Sequence, residues 1–395
     1  MKGTASKSRI RVLHVAPGAE RDSVKRYVEQ LTSYLKKIGA MQEHEVFHLD
    51  KGKPYRSYAA LLKRISNRNV DILHIQHEFG LFDSSYGFTF LAFFPILLAK
   101  CKANGTKIVV TWHTVPDRGE MKYIDYPSMI TKTFLRHFVP KMYFGTTIRM
   151  IAKNADMNVL LTKAARQTME RDYKIPARKT IFIPNGIIDF KISAGKSEVS
   201  RFKRKYRLHG KIFSMVGLAF KLKGYHLMID ALPEVIRKYK DFTLVITGGT
   251  ISPLGAEYLK SLQRQAKELG VEKHIVFTGY LSKEEMNALL KATDFFVYPY
   301  YHKVGDSAAI NLAVVARKPI IASDIPAFEE FTKSGMAKGV DPTNKHELAK
   351  AVLKYLNRGS YKTDERLIDN YIKRNNMEVA ARMHAEIYSR LKGLR

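Results

Sequence analysis

The sequence predicts an α/β protein of two domains, each a parallel sheet covered by helices, and three observations carry that prediction. Short apolar runs alternate with amphipathic stretches along almost the whole chain, the order expected of parallel strands joined by helical crossovers. The alternation occurs as two series built on the same plan, separated by a polar, strongly charged stretch at Lys191–Leu208. The length of 395 residues also exceeds what one hydrophobic core ordinarily organises.

In the first series, strands are predicted at Arg11–Pro17, Asp71–His77, Lys107–His113 and Met157–Leu161. Ser23–Ile38 reads as a helix because Val24, Tyr27, Val28, Leu31 and Leu35 fall on one face. The second series comprises Ile212–Gly217, Thr243–Gly248, His274–Gly279, Phe295–Tyr300 and Pro319–Ser323. The change of domain is expected between Asn185 and Gly210, giving domains 1–190 and 191–375. In the terminal segment 376–395, Asn376–Leu391 reads as a helix that follows the completed second sheet. Ligands of such sheets lie beyond the carboxyl ends of the strands. The informative stretches are therefore Pro17–Ser23, His77–Gly80, His113–Asp117, Gly217–Gly224, Gly248–Thr250, Gly279–Leu281 and Tyr300–Ser307. Two such sets facing one another would form an interdomain cleft.

Composition narrows the classes. A hydrophobic content of 45% describes a globular chain, and the single cysteine, Cys101, excludes an intrachain disulfide and a cysteine-based zinc cluster. Met1–Arg9 is basic and polar, without a signal-peptide pattern. The longest apolar run, Phe88–Ala99, contains Pro95 and falls short of the ~20 residues of a membrane span. The expectation is a cytoplasmic protein, peripheral at most at the inner face of a membrane. The net charge of +30 attracts anions: nucleic acid, anionic lipid headgroups or nucleoside diphosphates. Lys122–Lys153 interleaves basic and aromatic residues, and two readings stand for it: a surface for an anionic membrane, or the solvated face of a helix pair. Arg201, Lys203, Arg204, Lys205 and Arg207 read as a solvated helix face. No helix-turn-helix, zinc-finger or aromatic RNA-binding signature accompanies the charge, so nucleic acid is not the expected partner.

The strongest chemical signal is the stretch from Gly217 to Leu232, in which a strand ends in glycine, a loop presents Lys221 and Lys223, and a helix begins after Gly224. Loop amides, a helix N-terminus and a lysine ammonium together would hold a diphosphate without a metal ion. The alternative is a solvated lysine loop before an ordinary helix. His74 and His77 lie three apart on a strand and so on opposite faces, which argues against a metal pair.

The Gly217–Leu232 stretch resembles glycosyltransferase family 4, the retaining enzymes with the GT-B fold. Ile183-Pro184-Asn185-Gly186-Ile187 is similar to that family's IPNG turn. Phe277–Pro299 and Lys318–Asp324 resemble its later motifs, in the same order along the chain. The resemblance implies two Rossmann-like domains facing across a cleft, with the C-terminal helix crossing back onto the first. It implies a donor that is a UDP- or GDP-linked sugar, and no metal or other cofactor. His113 would hydrogen-bond the transferred sugar or steady its charge, the alternative being a structural histidine. Lys223, supported by Lys221 or Lys303, would meet the charge of the leaving group, and Asp306 would replace part of what the family's glutamates do toward sugar and ribose. Gly217, Gly224, Gly248, Gly249, Tyr280, Ser307, Ala308 and Asn311 would line the donor, and Ser23, His77 and Glu78 the acceptor side. For Glu78, an acceptor-facing role and a purely structural one stand equally open.

The chain departs from the family pattern in three places. Asp22-Ser23 stands where a glycine pair is usual, and the loop arginine between Gly217 and Lys223 is absent. The family's paired glutamates are replaced by Val304 and Leu312, with Asp306 and Asn311 nearby. The expected activity is transfer of a hexose from a nucleoside-diphosphate sugar to a glycan or lipid-linked acceptor, with retention of configuration. The alternative is a catalytically silent protein of this fold that binds nucleotide or glycan and supports a partner glycosyltransferase.

Overall fold

The computed structural model describes residues 9–18, 23–40, 42–50, 52–67, 69–78, 88–117, 135–187, 192–250, 253–301, 308–357 and 363–393. They form two compact units, one comprising the described residues through 187 and from 375 onward, the other 192–301 and 308–374. The first carries β1 (Ile10–Pro17), α1 (Ser23–Lys37), β2 (Gln42–Leu49), α2 (Pro54–Asn67), β3 (Ile72–His77), α3 (Phe88–Ala103), β4 (Lys107–Trp112), α4 (Leu135–Asn154), β5 (Met157–Leu160), α5 (Lys163–Arg171) and β6 (Thr180–Phe182). The second follows with α6 (Lys196–Lys205), β7 (Lys211–Val216), α7 (Tyr225–Lys238), β8 (Phe242–Thr247), α8 (Pro253–Glu268), β9 (Ile275–Gly279) and α9 (Lys283–Ala292). It continues with β10 (Phe295–Tyr298), α10 (Ala308–Val315), β11 (Ile320–Ser323), α11 (Glu329–Ser334), β12 (Ala337–Val340), α12 (Lys345–Asn357) and α13 (Glu365–Asn375). The last helix, α14 (Met377–Leu391), belongs to the first unit.

All strand pairs in both sheets are parallel, in the orders β2-β1-β3-β4-β5-β6 and β12-β11-β10-β7-β8-β9. Counted from its own first strand, the second sheet has the Rossmann order 3-2-1-4-5-6. The α/β class with two Rossmann-like sheets is therefore the observed one. Strand order reverses between β7 and β10 in the second sheet and between β1 and β3 in the first. Diverging crossovers at such a point leave a crevice beyond the strand ends.

The inner strands β3, β4 and β8 are buried along almost their whole length, which is why they read as continuous apolar runs. One face of the first sheet packs Ile75, Val110 and Trp112 against Leu61 of α2, Phe94 and Leu97 of α3, and Ile148 of α4. The other packs Val12, Ile72 and Val109 against Val28 and Leu31 of α1 and Ala380, Ala381 and Tyr388 of α14. Small residues at 380 and 381 let α14 approach closely. Its start is fixed twice: the Asn376 side chain accepts from Val379 N at 2.9 Å, and Ile187 bridges Asn376 through its own N–H and carbonyl. The turn before Ile187 favours Gly186, because a Cβ there would lie 3.1 Å from the Met377 Cα. Its φ of 78° is also in the left-handed region.

Three strands were not predicted: β2, β6 and β12. All are edge strands. β10 ends at Tyr298 rather than Tyr300, and β4 at Trp112 rather than His113, because ladder pairing stops there. Among the described residues, no helix is long and apolar enough to cross a membrane.

Candidate functional site

At the reversal point of the second sheet, the loop after β7 leans on the chain leaving β10. Gly217 has a φ of 140°, in the region that favours glycine, and the lysine folds back over the strand end so that a Cβ on Gly217 would lie 2.5 Å from Lys223 Nζ. The neighbouring strand ends in Gly248, with a φ of 112°, where a Cβ would lie 2.1 Å from the Gly217 carbonyl oxygen. The two turns are thus stacked backbone on backbone. The buried Tyr225 hydroxyl donates to the same carbonyl at 2.8 Å. Ala219 N donates to Gly249 O at 3.0 Å.

Lys221 and Lys223 lie on one short 3-10 turn that ends in the left-handed Gly224. The Lys223 ammonium is 5.6 Å from the centre of the Tyr300 ring, a cation–π contact. Among the described residues, no carboxylate pairs with Lys223. Tyr280 follows β9 with its ring over Gly249, whose Cβ would lie 2.1 Å from Tyr280 Cε2, and remains 43% exposed. One expected contribution is already engaged: His226 N, in the first turn of α7, donates to the Tyr258 hydroxyl at 3.3 Å. Of the groups expected to meet a diphosphate, Lys221 and Lys223 are the ones that bring positive charge.

α10 begins at the exposed Ala308, and Asn311 Oδ1 accepts from the Tyr371 hydroxyl at 3.4 Å. Lys303, Asp306 and Ser307 lie outside the described residues, as do Val304 and 122–134 of the stretch Lys122–Lys153, whose remainder lies in α4. Ser23 is the first residue of α1. The cationic face of α6 pairs in part with α9, where Lys205 Nζ reaches Glu285 Oε1 at 2.6 Å.

In the first unit, His113 follows β4 directly and its N–H donates to His77 O at 3.0 Å, which holds the two strand ends in register. Its Nε2 lies 3.0 Å from Gln76 Oε1. The Thr114 hydroxyl donates to Glu78 Oε2 at 2.6 Å, fixing that carboxylate beside His113 in the chain order of the two strand ends. His77 is buried at 3% exposure with its ring 4.4 Å from Trp112, and Trp112 Nε1 donates to Asn158 Oδ1 at 2.8 Å. His74 packs on the other face, against Tyr388, as the strand period requires. Of the acceptor-side pair, then, Glu78 is the part-exposed member. Burial holds His113 and His77 down to about 3, His77 also by the nearby His113. Both rings are neutral at physiological pH, so His113 can address a sugar only through a ring nitrogen, not as a cation.

Sequence reasoning missed Gln76, and it placed Tyr225 and Tyr300 in stretches that it singled out without giving either a role. Gln76 stood in a buried strand that also carries His74 and His77, so its residue type did not single it out. Tyr225 read as the first apolar residue of a helix.

Two Rossmann-like sheets, the second with a glycine-bounded lysine loop at its reversal point, define a GT-B-type α/β protein. The family described as "Glycosyl transferases group 1" matches residues 196–374, and "Glycosyltransferase Family 4" matches 36–189. The chain belongs to glycosyltransferase family 4. A GDP-mannose-dependent alpha-(1-6)-phosphatidylinositol monomannoside mannosyltransferase of Mycolicibacterium smegmatis is 28% identical over 155 residues, 39% of this chain and 39% of that protein. An alpha-monoglucosyldiacylglycerol synthase of Streptococcus pneumoniae is 24% identical over 315 residues, 78% of this chain and 64% of that one. The chain thus spans less than two thirds of the length of these curated relatives. Among solved structures, a glycosyltransferase from Rickettsia africae superposes with a TM-score of 0.74 at 18% identity, covering 97% of this chain and 99% of that one. Anabaena HepE in complex with UDP-glucose superposes with a TM-score of 0.69 at 15% identity, covering 96% and 100%.

Proposed function

We propose that this chain transfers a hexosyl residue from a UDP- or GDP-linked sugar to a hydroxyl of a glycan or lipid-linked acceptor, with retention of configuration and without a metal ion. The observation that carries the reading is Lys223, folded over Gly217 at the reversal point and without a carboxylate partner among the described residues. A diphosphate leaving group needs positive charge as the bond from sugar C1 to phosphate oxygen breaks. Lys223 supplies it. The acceptor oxygen forms the new bond to C1, and its proton passes to the departing diphosphate. The exposed Tyr280 ring offers a face to the base, and Glu78 offers a carboxylate to an acceptor hydroxyl. Asp306, Ser307 and Asn311 belong to the sugar end of the same reading.

The HepE complex contains UDP-glucose, and the two relatives above carry a phosphatidylinositol mannoside and a glucosyl diacylglycerol in their names. A net charge of +30 draws the chain to anionic bilayers, where such acceptors reside. The test is release of nucleoside diphosphate from a panel of UDP- and GDP-hexoses, with and without lipid-linked acceptors in anionic vesicles. Acceptor-dependent release that falls roughly a hundredfold in Lys223→Ala is expected. Binding of a sugar nucleotide with no release under any condition would overturn the catalytic part of the proposal.

A further inference from the structure

A line of buried side chains runs through the first unit from α14 to His113. Tyr388 Oη lies 2.6 Å from His74 Nδ1. Gln76 Nε2 lies 3.2 Å from His74 Nε2, and the Thr111 hydroxyl 2.7 Å from the same nitrogen. Gln76 Oε1 completes the line at His113 Nε2. Tyr388, His74, Thr111 and Gln76 are all fully buried, so water does not share these contacts.

A carboxamide has a donating and an accepting end, and a neutral imidazole has one of each. With the Gln76 amide donating to His74 Nε2, that nitrogen must carry its lone pair. Thr111 donates to it as well, and His74 holds its hydrogen on Nδ1, toward Tyr388. With the Gln76 oxygen on His113 Nε2, the His113 hydrogen must be there. Its Nδ1 is then an acceptor, with no hydrogen-bond partner among the described residues. The Tyr27 ring, edge to face with His113 at 5.2 Å, packs against the ring and restricts its rotation.

We infer that Gln76 is a positioning residue that sets His113 in its Nε2–H tautomer, leaving Nδ1 to accept a hydrogen bond from a substrate hydroxyl. The direction of every bond in the line follows from that one amide, and α14 anchors its far end. The functional part rests on the reading of His113 as a sugar-facing residue. The tautomer itself does not. This arrangement selects for a hydroxyl rather than a carbonyl or ether at the position His113 meets, since a lone pair can only receive a hydrogen.

The test is long-range nitrogen–proton NMR of the histidine rings in the full chain without substrate, which separates the two tautomers directly. Wild type is expected to show His113 protonated on Nε2. Gln76→Leu, which removes both ends of the amide, is expected to shift His113 toward the Nδ1–H form. Gln76→Glu keeps the accepting oxygen, so it retains Nε2–H on His113 and raises the pH at which that ring titrates. It also moves the His74 hydrogen to Nε2. Should Gln76→Leu not fold, the Gln76→Glu and wild-type spectra decide the matter alone. His113 found as Nδ1–H in wild type, or unchanged between wild type and Gln76→Leu, overturns the inference. With an active sugar nucleotide in hand, Gln76→Leu should lower kcat roughly tenfold with a smaller change in KM, and Gln76→Glu should recover part of it. A correct tautomer in a chain that turns over no sugar nucleotide would count against the proposed activity and leave this assignment standing.

Discussion

His384 gives the sharpest stability prediction. It sits on α14 with no exposure, its Nδ1 donating to Ala380 O at 2.8 Å and its Nε2 without a partner among the described residues. The His74 ring centre is 5.4 Å away, and His14 lies 5.1 Å beyond that. Burial drives His384 down to about 4, and His14 and His74 are lowered in the same direction for the same reason. The unfolded chain takes up this proton near the ordinary value of 6.5, the folded chain only near about 4. Between those values the unfolded state binds more protons, so stability falls as pH falls through the window and levels off below it. At pH 5, about 1.5 units into the window, the loss from His384 alone is about 2 kcal/mol, at ~1.36 kcal/mol per unit. Trp112 is the sole tryptophan and is buried in the first unit, so its fluorescence in urea reports on that unit. His384→Leu should leave stability at pH 7.5 within about 1 kcal/mol of wild type. It should lose about 2 kcal/mol less than wild type on going to pH 5. Equal losses in the two proteins would mean that His384 titrates near its ordinary value in the fold, and the burial argument would fail.

Two further outcomes follow from the packing. Asn158 accepts from the Trp112 indole and donates to the carbonyls of Ala152 and Lys179, so Asn158→Leu strands two buried groups and one part-buried one and should cost about 2–4 kcal/mol in the same urea assay. Gly248→Ala places a Cβ 2.1 Å from the Gly217 oxygen at a left-handed φ. It should destabilise the second unit by about 2 kcal/mol or more and weaken nucleotide binding, read by calorimetry, while leaving the Trp112 transition in place.

The sequence made the interior of both sheets legible and the margins illegible, for one reason. Strands buried on both faces, such as Ile72–His77 and Phe242–Thr247, are apolar runs that stand out against their flanks. The edge strand Gln42–Leu49 is part-exposed along its middle and carries Gln42, Glu43, His44 and Glu45, while Thr180–Phe182 is only three residues long. Neither composition nor period marks such segments. In the candidate site, the glycines and lysines of the loop after β7 were readable because backbone close approach and charge constrain residue type locally. Gln76, His74 and Tyr388 were not, because their meaning is a contact spanning 314 residues between His74 and Tyr388. The family's glutamate positions show the opposite limit: the sequence states plainly that Val304 and Leu312 stand there, so under the proposed function other groups would hold the donor.

The central claim is that the loop after β7 holds a nucleoside diphosphate through Lys223. Calorimetric titration of wild type and Lys223→Ala with UDP- and GDP-hexoses tests it most directly. Wild type is expected to bind at least one sugar nucleotide saturably, with a Kd roughly ten- to a hundredfold weaker in the variant, the size expected for losing one charge-assisted contact. Identical affinities, or no binding of any nucleotide sugar by wild type, would contradict it.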